Sequence, residues 1–134
     1  MPEEEIKFHR MGHIALKVRD LKKSEDFYVK VMGMKPVWRT EGEIAFLECG
    51  GDDLALIQIP KDKLPDYSGA EKGLLDHFGF RVKSREGVDK AAEEIKGKGV
   101  KIFGPVDHRD GSRSFYFPDP DGNQIQILYD PSRD

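Results

Sequence analysis

The residues best suited to chemistry in this chain are two histidines that occur in matching surroundings. His13 and His77 lie 64 residues apart, in the runs GHIALKV and DHFGFRV. Both runs have the partly alternating apolar pattern of a β-strand. Imidazoles on equivalent strands of a duplicated unit offer a divalent transition metal preoriented nitrogen donors, with open positions for substrate or water. The pair therefore predicts a metal-binding cleft.

A second correspondence indicates that the chain contains an internal repeat. Gln58 and Gln126 stand near the ends of the two halves and lie 68 residues apart. In each half a strand precedes an amphipathic helix and three short strands, which predicts two βαβββ units. The predicted strands cover 12–18, 35–39, 44–48 and 54–59, then 76–82, 100–103, 114–117 and 124–128, with helices over 21–32 and 88–96.

The size of these units determines how they should pack. One βαβββ unit is too small to bury the face of its own sheet. The sequence therefore predicts that both units form a single α+β domain of two curved mixed sheets around a central cleft. Module one spans about residues 8–60, a linker about 61–72 and module two about 73–130. The repeat should bring His13 towards His77, and Gln58 towards Gln126.

Composition excludes several classes of partner. The 134 residues include 22 basic and 25 acidic side chains, a net charge of −3, which gives no basic excess for nucleic acid or anionic lipid. We find no apolar stretch of the roughly 18 residues that cross a bilayer, and the acidic start is unlike a secretion signal. The single cysteine, Cys49, cannot form an internal disulfide, which is typical of cytoplasmic proteins.

Three further runs stand out within about residues 8–130: MGHIALKV with the following DL, FY and GM pairs, LDHFGFRV, and FYFPDPDGNQIQ. Together they resemble the vicinal oxygen chelate superfamily, which includes glyoxalase I, fosfomycin-resistance proteins, methylmalonyl-CoA epimerase, extradiol dioxygenases and bleomycin-resistance proteins. The resemblance implies a paired βαβββ fold, usually dimeric. It also implies a divalent metal, held by up to four ligands on four strands, that chelates two oxygens of a small substrate.

Carried over position by position, the implied ligands are His13, Gln58, His77 and Gln126. Glyoxalase I-like sequences normally have glutamate where the two glutamines stand. Two imidazoles and two amide oxygens carry no charge, so a dication would keep its full charge and polarise a chelated oxygen strongly, at a cost in affinity. The identity of the metal stays open among Ni, Zn, Mn, Fe and Cu.

A glutamine cannot act as the general base that glyoxalase-like proton transfer requires, so another group must accept the proton. Glu48 shares a strand face with Phe46 and is one candidate, as base or as surrogate ligand. His108 is the other candidate, because imidazoles exchange protons near neutral pH.

The candidate substrate-binding residues are Phe46, Arg113 and Tyr116. Arg113 and Tyr116 flank a Ser-Phe-Tyr-Phe run that resembles fosfomycin-resistance proteins. However, Ala15 and Phe46 stand where those proteins have a threonine and a tyrosine, and Gln126 replaces their third metal ligand. Fosfomycin modification is therefore disfavoured.

The leading hypothesis is a glyoxalase-like metalloenzyme of the isomerase or lyase class, acting as a homodimer on a small substrate with vicinal oxygens. One alternative is a metal-free protein that binds a small molecule, like the bleomycin-resistance members. The other is an extradiol-type dioxygenase, which the lack of a carboxylate ligand disfavours.

Overall fold

Each half of the chain forms a four-stranded sheet with helices, as the repeat predicts. In a computed structural model, which describes residues 6–66 and 75–133, the first half comprises β1 (His13–Val18), α1 (Leu21–Asp26) with a π-helical turn (Phe27–Val31), β2 (Lys35–Thr40), β3 (Ile44–Glu48) and β4 (Asp53–Gln58). The second half comprises β5 (His77–Arg81), α2 (Arg85–Gly97), β6 (Phe103–Asp107), β7 (Arg113–Pro118) and β8 (Gln124–Tyr129).

The two sheets have the same mixed topology. Their strand orders are β1-β4-β3-β2 and β5-β8-β7-β6, with the first and last strands of each half parallel and the other neighbours antiparallel. This confirms the predicted α+β fold of two βαβββ units. Of the predicted linker, Lys61–Asp66 forms a 3-10 helix and the rest lies outside the described residues. No helix within 6–66 or 75–133 is long and apolar enough to cross a membrane.

Local chemistry explains where two elements depart from their predicted bounds. Helix α2 begins at Arg85 because the Ser84 hydroxyl accepts a hydrogen bond from the Gly87 N–H at 3.0 Å, which caps the helix. Strand β6 covers Phe103–Asp107 rather than the predicted 100–103, and it includes Pro105. A proline is compatible with this strand because β6 lies at a sheet edge, where a missing N–H breaks no ladder.

The halves share one hydrophobic core. Alternate residues of both sheets and the buried sides of both helices belong to a single cluster of buried side chains. Phe27 from the first half contacts Phe117 from the second, with ring centroids 6.3 Å apart. The halves therefore pack through their helix-bearing faces.

A buried hydrogen bond between the halves explains part of the DPDGN run. The Tyr28 hydroxyl donates to Asp119 Oδ2 at 2.6 Å, and both side chains are buried. Asp119 Oδ1 also accepts the backbone N–H groups of Asp121 and Asn123, which closes the turn between β7 and β8. Asp119 therefore has a structural role, because it joins this turn to the first half.

Each sheet has a second face that lies outside this core. We call them the first open face and the second open face, and Trp38 (57% exposed) and Phe103 (51% exposed) stand at their outer strands. By strand alternation, the first includes His13, Ala15, Lys17, Trp38, Ile44, Phe46, Glu48, Asp53, Ala55 and Ile57, and the second includes His77, Gly79, Arg81, Phe103, Ser114, Tyr116, Gln124, Gln126 and Leu128.

Candidate functional site

The two repeat-related histidines lie at one cavity. His13 at the start of β1 and His77 at the start of β5 both line a space of about 260 Å³ between the halves. The remainder of its wall is largely apolar and includes Met11, Ile14, Leu54, Leu75, Phe78 and Phe80. Two histidines that are far apart in the sequence thus border the same cavity.

Both imidazoles are held by a carboxylate. His13 Nδ1 lies 2.7 Å from Asp53 Oδ2, and His77 Nδ1 lies 2.7 Å from Asp76 Oδ2. A carboxylate accepts the Nδ1 hydrogen, so Nε2 of each ring keeps its lone pair. Metal-binding histidines commonly have such a second partner, which orients the ring. The donor set at this cavity therefore suits a metal ion.

Sequence reasoning missed both carboxylates. Asp76 is the residue directly before His77, so the dipeptide itself carried a signal. Asp53 gave no comparable signal, because it meets His13 only through the parallel pairing of β1 with β4. The partner of His13 therefore depends on the strand register.

Gln126 lies on the second open face with a fixed amide. Its Nε2 donates to Tyr116 Oη at 2.9 Å and to Ser114 Oγ at 3.1 Å. Both amide hydrogens are thus used, and Oε1 accepts no hydrogen bond from the described part of the chain. Tyr116 also packs edge-on against the His77 ring, with centroids 5.4 Å apart, so it connects His77 to Gln126.

Gly79 permits the close approach of β5 to β8 at this point. It pairs with Gln126, and a Cβ on Gly79 would lie 2.8 Å from the Gln126 carbonyl oxygen. Any larger residue would force the two strands apart. The backbone beside Gln126 therefore requires a glycine.

Gln58 does not join this group, which corrects its predicted placement in the cleft. Its side chain lies on the core side of β4, where Oε1 accepts the Leu21 N–H at 2.7 Å. Its Nε2 donates to the carbonyl oxygens of Arg19 and Ile59, both at 2.8 Å. The amide thus binds backbone at the start of α1 and just after β4, so Gln58 has a structural role.

The strand register shows which residue does correspond to Gln126. Ala55 pairs with Ala15 on β1, as Gln126 pairs with Gly79 on β5. The two equivalent positions are 71 residues apart (126 − 55), whereas the glutamines are 68 apart (126 − 58). The odd difference of three residues moves Gln58 to the opposite face of its strand.

Arg113 also departs from its predicted position. It alternates with Ser114 along β7 and faces α2. Its Nη2 donates to Asp89 of α2 at 2.8 Å, and its Nη1 donates to Asp107 at the end of β6 at 3.1 Å. The hydrogen bonds with Asp89, and then with Asp107, raise the pKa of Arg113. The guanidinium is therefore directed away from Tyr116, and the structure does not bring these two predicted substrate-binding residues together.

Phe46 and Glu48 share the first open face, as strand alternation predicts. The Phe46 ring lies 5.8 Å from that of Trp38 between centroids. Glu48 follows at the end of β3, beside the end of β4 that carries Asp53, because Leu47 pairs with Leu54. Asp53 in turn pairs with His13. The Glu48 carboxylate and the His13 imidazole therefore lie at the same end of this face.

His108 contacts the second open face indirectly. Its Nε2 lies 2.7 Å from Ser114 Oγ, which in turn binds Gln126. Across residues 6–66 and 75–133, no three His, Cys, Asp or Glu side chains form a cluster that could hold a metal. The candidate donors are therefore Nε2 of His13, Nε2 of His77 and Oε1 of Gln126.

Comparison with known proteins identifies the family and the fold of this chain. A family model described as Glyoxalase/Bleomycin resistance protein/Dioxygenase superfamily matches residues 10–127. The chain belongs to this superfamily. The fold is that of a lactoylglutathione lyase structure from Agrobacterium tumefaciens, at a TM-score of 0.75 and 24% identity, over 90% of this chain and 93% of that chain.

Curated members of the superfamily with related sequences differ in activity. A manganese-dependent 2,3-dihydroxybiphenyl 1,2-dioxygenase from Geobacillus genomosp. 3 is 28% identical over 90% of this chain, which spans only 36% of that protein. Glutathione transferase FosA from Serratia marcescens is 29% identical over 87% of this chain and 78% of its own length. Membership alone therefore leaves the reaction open.

Proposed function

We propose that this chain is a metal-dependent enzyme of the isomerase or lyase type. It binds a small substrate through two adjacent oxygen atoms and moves a proton within it. The observation that carries the proposal is the carboxylate on Nδ1 of each cavity histidine, at 2.7 Å in both cases. That arrangement leaves both Nε2 atoms available as donors.

The residues that would hold the metal are His13, His77 and Gln126. Because these donors are uncharged, a bound dication would keep its charge and polarise a substrate carbonyl. Weak donors favour ions late in the Irving–Williams series, such as Ni²⁺, Cu²⁺ and Zn²⁺, over Mn²⁺ or Fe²⁺. Extradiol cleavage ranks lower, because non-haem iron sites of that type include a carboxylate ligand.

The first open face supplies the proton acceptor in this proposal. Glu48 is half-buried on the same face as His13 and accepts a proton at a carboxylate oxygen. Phe46 and Trp38 beside it form an apolar wall that excludes water.

The second open face supplies a hydrogen-bond donor to the substrate. The Tyr116 oxygen already accepts from Gln126, so the hydroxyl hydrogen can donate to a substrate oxygen. An apolar wall and a polar wall together suit a small amphipathic substrate.

A second copy of the chain would complete this site. Four residues of the proposed site lie on the open faces and are not among the described residues that line the histidine cavity. They are Phe46, Glu48, Tyr116 and Gln126. Apolar side chains as exposed as Trp38 commonly mark an interaction surface when they cluster. In the proposed homodimer, the second open face of one copy covers the first open face of its partner. His77 and Gln126 of one copy then lie opposite His13 and Glu48 of the partner subunit, and these residues together form the site.

Titration with Co²⁺ tests the metal proposal directly. Chelator-treated protein should bind the ion stoichiometrically in a calorimeter, and the affinity should fall at least about tenfold in His13→Ala and in His77→Ala, since each loses a strong donor. His9→Ala is the matched control, because this exposed imidazole lies outside the strands. Equal affinity in all four proteins, or no binding at all, would contradict the proposal and favour the metal-free binding protein.

Sedimentation tests the proposed assembly. The wild-type chain should sediment as a dimer at micromolar concentration, and Trp38→Asp should shift it to monomer because a charge then replaces an apolar contact. Lys90→Glu changes the charge on the exposed side of α2, outside both open faces, and serves as the control. A monomeric wild-type protein would refute the shared site.

A further inference from the structure

The chain of hydrogen bonds behind Gln126 has a defined direction. Ser114 Oγ receives an N–H of the Gln126 amide at 3.1 Å. The Ser114 side chain is completely buried, so its own hydrogen has no water to bind. The neighbouring acceptor is His108 Nε2, at 2.7 Å. The hydroxyl therefore donates to His108, whose ring hydrogen must reside on Nδ1.

If the hydrogen bonds from His108 to Gln126 ran in the opposite direction, the Gln126 amide would be reversed. If His108 carried its hydrogen on Nε2, that N–H would donate to Ser114 Oγ, and the Ser114 hydrogen would have to point at Gln126. The amide would then rotate to present its oxygen to Ser114 and to the Tyr116 hydroxyl, which also has a hydrogen to donate. Both directions satisfy every buried group, so the His108 tautomer decides which direction is populated. The amide orientation in the structure is the one that goes with the ring hydrogen on Nδ1.

We propose that His108 acts through Ser114 as a positioning residue that keeps the Gln126 amide oxygen directed at the open face. The consequence for metal binding rests on the function proposed above, whereas the amide orientation itself does not. With His108 present, Oε1 is offered as a donor. With the amide reversed, an NH₂ group faces the same space and repels a cation. This role differs from that of a base, since His108 reaches Gln126 only through Ser114.

The expected effect of removing His108 follows from the amide populations. In His108→Ala the Ser114 hydroxyl is free to donate to Gln126, so both amide orientations become populated. If metal binding needs the amide oxygen to face the open face, the metal affinity falls in proportion to the fraction of molecules that keep this orientation. If that fraction drops to between about one third and one tenth, Co²⁺ affinity falls about three- to tenfold.

Gln126→Glu supplies a matched test of mechanism. A carboxylate has an oxygen at both ends, so it accepts from Ser114 and Tyr116 and still presents an oxygen to the open face. Calorimetric titration with Co²⁺ alone would compare wild type, His108→Ala, Gln126→Glu and the double variant. We expect His108→Ala to weaken binding in the glutamine background and to change nothing in the glutamate background. Equal weakening in both backgrounds would refute the positioning role and indicate a structural one.

A spectroscopic measurement separates this proposal from the proposed function. The side-chain NH₂ signals of Gln126, assigned from their loss in Gln126→Glu, should show slow hydrogen exchange in the metal-free wild-type protein. In His108→Ala, and equally in Ser114→Ala, they should shift and exchange faster, whereas His9→Ala should leave them unchanged. Unchanged Gln126 signals in His108→Ala would overturn the proposal, whether or not the protein binds metal.

Discussion

Removing the Tyr28 hydroxyl should destabilise the fold by an amount that the structure allows us to estimate. Its hydrogen bond to Asp119 Oδ2, at 2.6 Å, is buried and joins the two halves. Hydrogen bonds to charged groups contribute about 1.5–3 kcal/mol. In Tyr28→Phe, Asp119 keeps its bonds from Asp121 and Asn123, so no carboxylate is left unpaired. We therefore expect a loss of about 2 kcal/mol in the free energy of unfolding.

The same loss can be expressed as a melting temperature. At about 2.1 cal/mol/K per residue, a chain of 134 residues has an unfolding entropy of about 0.28 kcal/mol/K. A change of about 2 kcal/mol then lowers Tm by about 7 °C. Calorimetry at neutral pH measures this shift directly.

The pH dependence gives an independent check on the cause. Burial, with the charge of Asp119, raises the pKa of Tyr28 far above its ordinary value. Tyrosine in the unfolded chain loses its proton near pH 10, while folded Tyr28 keeps it, so the wild type loses about 1.4 kcal/mol per pH unit well above pH 10. The stabilisation is thus complete below pH 10 and declines as the pH rises.

Urea denaturation of wild type and Tyr28→Phe at pH 7 and pH 11 tests this reasoning. The difference of about 2 kcal/mol at pH 7 should shrink by about 1.4 kcal/mol at pH 11. All other tyrosines are common to both proteins, so their titration cancels. A difference below about 0.5 kcal/mol at pH 7, or one that is the same at both values, would show that this hydrogen bond does not stabilise the fold as argued.

Two further outcomes follow from single side chains. Gln58→Ala removes the acceptor for the Leu21 N–H and should lower the free energy of unfolding in a urea titration by about 1–2 kcal/mol. Its Co²⁺ affinity should stay unchanged, and a specific loss of affinity would return Gln58 to the metal site. Burial, and then Asp52, raise the pKa of Cys49 to about 12, so alkylation by iodoacetamide at pH 8 should be slow and Asp52→Asn should accelerate it. A wild-type rate equal to that of a free thiol would contradict this.

Much of the fold followed from local patterns, because the repeat of βαβββ units depends on periodicity and on residues that begin and end helices. Asp20 caps α1 through the Lys23 N–H, and Ser84 caps α2, both by contacts within three residues. The equivalence of His13 and His77 was visible for the same reason, since each begins a strand of its own unit.

Residues on the later strands were harder to place. Gln58 resembled Gln126 in its local sequence, yet a register difference of three residues set it on the core face. Arg113 lies next to Ser114 in the sequence but on the opposite side of β7, held by Asp89 and Asp107. Strand alternation determines such positions only after the pairing register is known.

The sequence by itself determined that this protein contains two related units, each with a strand-borne histidine, and that its net charge favours neither nucleic acid nor anionic lipid. Only the tertiary structure decided which side chains surround those histidines. The carboxylate on His13, the amide of Gln126 and its link to His108 are contacts between separate strands or loops. Their distances depend on how strands pair, and no local pattern along the chain encodes that pairing.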